Sequence, residues 1–381
     1  MKSATLLFLM ALVCAQLAAG QNIARSRAER MGIGMNVSYL ENFWQGTKEK
    51  HFSDLIKLDA AAKHEKMFAD IAKAGFKTVR IPVCFSAWME MKRPYDWDNK
   101  QALETVDLFV KWALANKLNV IIDLHHPEFD GSMPDAANPE RIVNLWMRIA
   151  ERYKDTDPER VFFELRNEPH NMPAETWRWQ AEQIIKVVRQ SAPQHTLIVG
   201  FHDWNGRQAM LDSQPFDDKN IIYTFHYYDP FVFTHQGATW AGPGLSELKA
   251  VPFPFSTDLM PKTPESVKGQ WVDRLIGSYR EDSNAEKMYR DLKAAKDWSK
   301  KFKVPIFCGE FGSYSRFSST EDRCRHAKVV YAALGKLQIP NAWWEWDGGF
   351  NMFKTGTSEI AQCMRKAIDS YNDQNQILPR E

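Results

Sequence analysis

Residues 119–124 read Asn-Val-Ile-Ile-Asp-Leu, residues 197–200 read Leu-Ile-Val-Gly, and residues 305–308 read Pro-Ile-Phe-Cys. These runs are apolar without the every-second-residue alternation of a half-exposed strand, the pattern of strands covered on both faces. Outward from them, the same kind of run recurs to give eight candidate strands: Gly32–Val37, Thr78–Val83, Asn119–Leu124, Val161–Leu165, Thr196–Gly200, Asn220–Phe225, Pro305–Gly309 and Asn341–Trp346. Helical periodicity fills the gaps at Ala60–Ala74, Gln101–Ala115, Pro139–Tyr153, Ala174–Gln190, Glu286–Phe302 and Asp322–Gly335, with a last run over about 358–371. Only Gly206–Leu211 is available for the fifth helix. Each parallel crossover takes a dozen residues or more, so this alternation implies parallel pairing. An α/β fold follows, a closed (β/α)₈ TIM barrel in a single domain. An open doubly wound sheet is the alternative, but Gly32-Ile-Gly-Met-Asn36 does not make the glycine-rich phosphate turn of that class. The longest connection, Asp229 to about Asn284, carries many prolines and aromatics and reads as a structureless lid or cleft wall.

Composition narrows the function. With 49 Lys+Arg against 48 Asp+Glu in 381 residues, no basic field exists for a phosphate backbone, and nucleic-acid binding is not expected. Hydrophobic residues at 44% and charged residues at 25% belong to a globular chain, not a disordered one. The chain also holds 14 Trp, 11 Tyr and 23 Phe, more indole than a core requires, and flat apolar rings suit a sugar-binding cleft. Lys2, the uncharged run Ala4–Ala19 and the small residues Ala18-Ala19-Gly20 read as a secretory signal peptide over residues 1–20, leaving 21–381 as the barrel. The expected product is exported, extracellular or periplasmic, free of the membrane and monomeric. Four cysteines then remain, Cys84, Cys308, Cys324 and Cys363, which allow three pairings among which the sequence does not choose. No Cys-x-x-Cys occurs, so no zinc site of that kind is expected.

Barrel chemistry sits at the C-terminal ends of the strands. In order, those ends carry Asn36, Arg80, His125-His126, Asn167-Glu168, Asp203-Trp204-Asn205, His226 with Tyr228, Glu310 and Trp344-Glu345. Two carboxylates in a ring of donors and indoles are what glycoside hydrolysis asks for. Barrel metallohydrolases use His-x-His, which is absent here, so neither a metal nor any other cofactor is expected. Small neighbours of Glu310 in Gly-Glu-Phe-Gly would let a ligand approach the backbone.

These residues resemble glycoside hydrolase family 5, the retaining β-glycanases that include many secreted cellulases. The resemblance covers about 31–371. It rests on Thr-Val-Arg-Ile-Pro-Val (78–83), Ile-Ile-Asp-Leu-His (121–125), Phe-Glu-Leu-Arg-Asn-Glu-Pro (163–169), Phe-His-Tyr-Tyr (225–228), Cys-Gly-Glu-Phe-Gly (308–312) and Trp-Trp-Glu-Trp (343–346). It implies a (β/α)₈ barrel with Glu168 as acid/base, Glu310 as nucleophile and Arg80 supporting that nucleophile. It further implies that His125 binds substrate, that Asn167 contacts the sugar 2-hydroxyl, that His226 and Tyr228 flank the glutamates, and that Trp344 is the platform under the sugar. Arg166 stands where the family commonly has a small or aliphatic residue; strand alternation should turn it from the cleft. Asn36 and His126 join the candidate substrate contacts, with Trp240, and more weakly Trp204, Trp88 and Trp44, as outer platforms. The sequon Asn36-Val37-Ser38 has its Asn aimed at the cleft, so no glycan is expected there.

The resemblance thus implies an endo-acting β-1,4-glucanase working on cellulose-like polysaccharide by double displacement. β-Mannan, mixed-linkage glucan or xyloglucan are alternative substrates. A non-catalytic carbohydrate-binding barrel is disfavoured by the two intact glutamates, and a metallohydrolase barrel by the missing His-x-His.

Overall fold

The eight apolar runs form eight strands: β1 (Ile33–Asn36), β2 (Thr78–Val83), β3 (Asn119–Leu124), β4 (Val161–Glu164), β5 (Leu197–Val199), β6 (Ile221–His226), β7 (Ile306–Phe311) and β8 (Asn341–Trp343). The computed structural model describes residues 23–41, 58–90, 92–96, 100–125 and 139–373. The strands hydrogen-bond in chain order, β1 to β8, as a closed barrel. Recorded neighbours pair in parallel, with Arg80 opposite Ile121, Pro82 opposite Asp123, and Asp123 opposite Glu164. All six residues of β2, β6 and β7 are buried, as expected of strands covered on both faces.

Residues 23–31 are helical, and after β1 the described chain forms α1 (Leu58–Lys73), α2 (Lys100–Ala115), α3 (Pro139–Tyr153), α4 (Ala174–Ser191), α5 (Arg207–Leu211), α6 (Phe231–Thr234), α7 (Trp271–Asp282), α8 (Ala285–Phe302), α9 (Thr320–Lys336) and α10 (Gln362–Asp369). Their amphipathic spacing is plain in α3, which buries Ile142, Leu145, Trp146, Ile149 and Tyr153. Its indole Trp146 donates to Leu165 O at 2.7 Å, and Trp177 of α4 donates to Gly200 O at 2.9 Å. A buried indole needs such an acceptor, so these two tryptophans serve the core rather than a cleft.

The chain divides into two compact units. The first holds β2 to β5, most of β6, and α1 to α5. The second holds α6, α7, most of α8 and β7, then α9, β8 and α10. In the second, the 229–284 connection differs from its sequence reading: it is ordered, with α6, two 3₁₀ turns and α7 along it. Buried Gln236 closes one loop of it, donating to Val251 O (3.1 Å) and accepting from Val251 N (2.8 Å). Gly237, at φ +80°, abuts Phe317 so closely that a Cβ would lie 2.0 Å from its ring. Helix α9 pins the segment twice, through Arg325 Nε to Phe253 O (2.7 Å) and His326 Nε2 against Asp229 O (3.1 Å). A Cys324–Cys363 disulfide ties α9 to α10, while Cys84 and Cys308 remain buried thiols. The last helix is shorter than its sequence pattern, β8 stops at Trp343, and β7 runs on through Glu310 to Phe311.

Burial holds four histidines below their usual range: His64, His195 and His326 at about 4 and His235 at about 3. In the unfolded chain each takes up a proton near pH 6.5 that the folded form refuses, so their contribution is lost as pH falls. Asp123 runs the other way. Burial raises it to about 7, so its contribution is lost as pH rises from about 4 to 7. With four groups against one, the unfolding free energy measured in denaturant should fall between pH 6.5 and 4, with on the order of 3 kcal/mol from fully enclosed His326 alone. A stability that is flat or rises on acidification across that window would contradict this assignment.

Candidate active site

A closed parallel barrel gathers the C-terminal ends of its strands on one rim. On β3 and β4, the cross-strand partners Asp123 and Glu164 are both fully buried acids. Like charges placed opposite each other repel, and neither carboxylate has water to relieve it. Arg80 of β2, also fully buried, answers both. Its Nε donates to Glu164 Oε2 (2.7 Å), its Nη2 donates to Glu164 Oε1 (2.9 Å), and the same Nη2 lies 3.0 Å from Asp123 Oδ2. This fork-to-carboxylate pairing fixes the guanidinium plane. Nη2 also donates to Asn167 Oδ1 at 2.8 Å, so the cage orients the amide beside Glu168. Asp123 Oδ2 lies 2.7 Å from His125 Nδ1, and His125 Nε2 lies 3.3 Å from Glu41 Oε2. Burial is the main force raising the Asp123 carboxyl to about 7; Arg80 opposes it and the charge of Glu168 adds to it.

Glu168 is half-buried and its backbone sits at φ +44°, a left-handed conformation unusual for glutamate. Strain of that kind persists only where the surroundings impose it, and it gathers at functional sites. Two neighbours impose it here. With the Asn205 amide turned so that its oxygen faces Glu168, that oxygen accepts from Glu168 N (3.2 Å) and its nitrogen donates to Phe201 O (3.0 Å). His170 Nδ1 lies 2.6 Å from Glu168 O, and its ring stacks flat on Trp204 at 3.6 Å. Trp204 is half exposed, so it stands at the surface with a backing ring.

In the second unit, Glu310 ends up buried near the close of β7. Tyr228 OH donates to Glu310 Oε2 at 2.9 Å, and His226 Nδ1 lies 3.6 Å from the same oxygen. Tyr227 N donates to Glu310 O at 2.9 Å, which ties this backbone to the chain past β6. The Tyr228 ring is held edge-on by His235 (4.9 Å) and Phe350 (6.1 Å). Rings continue outward, Phe350 to Tyr314 at 5.4 Å and Tyr314 to Trp240 at 4.9 Å, where Trp240 is 61% exposed. Trp240 is therefore linked to the glutamate by an unbroken aromatic path. Cys308, two residues before Glu310, has its thiol pushed far up by burial, with the Glu310 charge adding to the shift, so it stays protonated and unreactive.

Several expectations need correction. Asn36 is fully buried, and its amide nitrogen faces the carbonyls of Gly309 (3.0 Å), Trp343 (3.2 Å) and Ala342 (3.4 Å). With its two amide hydrogens engaged by backbone, it clamps β7 and β8 instead of donating to a sugar; burial also bars a glycan. Trp88 is 4% exposed and packs on Phe85 at 5.7 Å, so it is core and not a platform. Gly312 does not open the backbone to a ligand: a Cβ there would meet Trp344 O at 2.3 Å, so the space is filled by the next strand's chain. His126 and Trp44 lie outside the described residues. Trp344 is half-buried, and its N–H donates to Phe311 O at 2.8 Å. Arg166 is buried. Asp123, Glu164 and Glu41 are site groups that the strand-end reading does not single out, whereas Asn205 stands in it beside Trp204. The signal for the first two was present, because a lone acid inside an apolar strand must find a buried cation.

Comparison with known proteins agrees with this layout. The family described as Cellulase (glycosyl hydrolase family 5) matches residues 37–349. Endoglucanase 3 of Fibrobacter succinogenes is 27% identical over 78% of this chain, which spans about half of that relative (48%). Endoglucanase C of Acetivibrio thermocellus is 26% identical, covering 82% of this chain and 90% of its own. The crystal structure of endoglucanase Cel5A from Thermotoga maritima superposes with a TM-score of 0.73 at 31% identity, covering 90% of this chain and 98% of that one. The chain belongs to glycosyl hydrolase family 5.

Proposed function

We propose that this chain is a secreted, monomeric endo-β-1,4-glucanase that cleaves cellulose-like glucans by double displacement, with retention of configuration. The observation that carries the reading is the place of two glutamates in one closed parallel sheet, Glu168 just past β4 and Glu310 on β7. Their surroundings differ as the two roles require. Glu310 is buried and receives the Tyr228 hydroxyl, a donor that favours the ionised nucleophile. Glu168 is half-buried, just past its strand, where it can meet both a leaving group and a water.

In the first step a Glu310 carboxylate oxygen attacks the anomeric carbon while Glu168 gives its proton to the departing glycosidic oxygen. A glycosyl ester of Glu310 results. Glu168, now a carboxylate, then takes a proton from a water that attacks the same carbon and frees Glu310. Asn167, oriented by Arg80, is the donor for the 2-hydroxyl, and Trp344 the platform beneath the ring. Export is supported by the signal-like residues 1–20, which lie outside the described residues, and by the Cys324–Cys363 disulfide, a bond suited to an oxidising compartment. Among the described residues no helix is long and apolar enough to cross a membrane. β-Mannan is the second reading, since Thermotoga maritima Cel5A, 29% identical, has been crystallised in complex with mannotriose.

Reducing-sugar release from cellulose derivatives, β-mannan, mixed-linkage glucan and xyloglucan, with and without a chelator, tests the proposal. The β-1,4-glucans should be hydrolysed in both conditions; loss in chelator restored by a divalent ion would contradict the scheme. Glu310→Gln should be inactive on every substrate. Glu168→Gln should keep a first-step burst on aryl glycosides with good leaving groups, which need no proton from the enzyme. Trp240→Ala should raise KM for polymers with little change in kcat, because it removes a distant ring and not a reacting group. If KM is unchanged on every polymer, the 229–284 segment does not border the cleft.

A further inference from the structure

On the family reading above, the geometry of β2, β3 and β4 points to one more working group. We propose that Asp123 is a positioning residue of this site, whose buried carboxylate fixes both the imidazole of His125 and the guanidinium of Arg80. The two contacts converge on a single oxygen. Asp123 Oδ2 lies 2.7 Å from His125 Nδ1 and 3.0 Å from Arg80 Nη2, while Oδ1 has no hydrogen-bond partner among the described residues. Two groups bound for substrate are thus coupled through one atom. His125 is one of them, and the other is Asn167, whose Oδ1 accepts from the same Arg80 Nη2 at 2.8 Å.

The coupling also selects the state of the ring. Above about pH 7, where the Asp123 carboxyl is ionised, its oxygen can only accept, so Nδ1 of His125 carries a hydrogen there. That leaves Nε2 facing Glu41 Oε2 at 3.3 Å. Among the described residues, the neighbours that face this carboxylate are Arg80 from β2, Glu164 from β4, Glu168 beyond β4 and His125 just past the end of β3, with Glu41 on the far side of the ring. Arg80 is already held in a fork by Glu164, so Asp123 is not needed to neutralise it. What Asp123 supplies is a link from that rigid pair to His125. The same link explains a costly choice, because the carboxyl is fully buried and its second oxygen has no partner among the described residues.

Asp123→Ala and Asp123→Asn, with kcat and KM measured on a soluble cello-oligosaccharide, test the assignment. Alanine removes the shared acceptor and should raise KM roughly tenfold or more as His125 and Asn167 lose alignment. Asparagine keeps one oxygen in place of Oδ2 and should recover most of that loss. A group that serves folding alone would lower the fraction of active enzyme and so kcat, leaving KM as in the unaltered protein; that result in folded Asp123→Ala overturns the proposal. Should the alanine variant fail to fold, nitrogen-15 NMR of His125 in the unaltered protein decides. At pH 8, where Asp123 is ionised, a hydrogen on Nδ1 supports the link, and a lone pair on Nδ1 overturns it. If the unaltered protein releases sugar from no glycan, the hydrolase reading fails by itself, and the NMR arm still judges the role of Asp123.

Discussion

The barrel's first half depends on one buried cation. Arg80 stands between Asp123 and Glu164, two acids directly opposite each other on adjacent strands and both inaccessible to water. Buried ion pairs are poor sources of net stability, since desolvation consumes most of the attraction, but removing one partner leaves an uncompensated charge at several kcal/mol. Such a cage therefore survives where its geometry is used. Here it sets the plane of a guanidinium that carries Asn167, and through Asp123 it reaches His125. The second unit achieves the same end with neutral groups: the Asn36 amide clamps β7 and β8, and Tyr228, wedged between His235 and Phe350, aims its hydroxyl at Glu310.

The two glutamates are built differently, and the difference suits the division of labour in the double displacement we propose. Glu310 belongs to a regular strand, is buried, and has its carboxylate met by a phenol and an imidazole. Glu168 lies beyond its strand on a left-handed turn held by Asn205 and His170, half-open to solvent. A nucleophile gains from a fixed oxygen in an ordered strand. An acid/base that must meet first a leaving group and then a water gains from standing at the edge of the cavity.

The architecture was legible because covered strands read as apolar runs, and β2 and β3 begin and end where those runs do. The residues at the strand ends were legible from the motifs that carry the family resemblance. Less legible was everything decided by packing across the barrel. Asn36 occupies a strand end like Asn167, yet three carbonyls claim its amide, and no local pattern reports that. Gly312 reads as room for a ligand until the Trp344 carbonyl is seen in that room. The 229–284 stretch reads as structureless because its order comes from buried polar contacts, Gln236 to Val251 and Arg325 to Phe253, instead of from a helical or strand period. Asp123 and Glu164 were readable in principle as lone acids in apolar strands, but their shared partner became visible only with the register.

The central claim is that Glu310 attacks the sugar directly. In a retaining pair the carboxyl groups stand about 5–5.5 Å apart, too close for the intervening water that an inverting enzyme places in a gap of roughly 6.5–9.5 Å. Proton NMR of the first sugar released from a β-1,4-glucan reads this out. The account predicts the β-anomer first, with the α-anomer growing in only as mutarotation proceeds. An initial α-anomer would contradict the nucleophile assignment, whatever the activity of the glutamate variants.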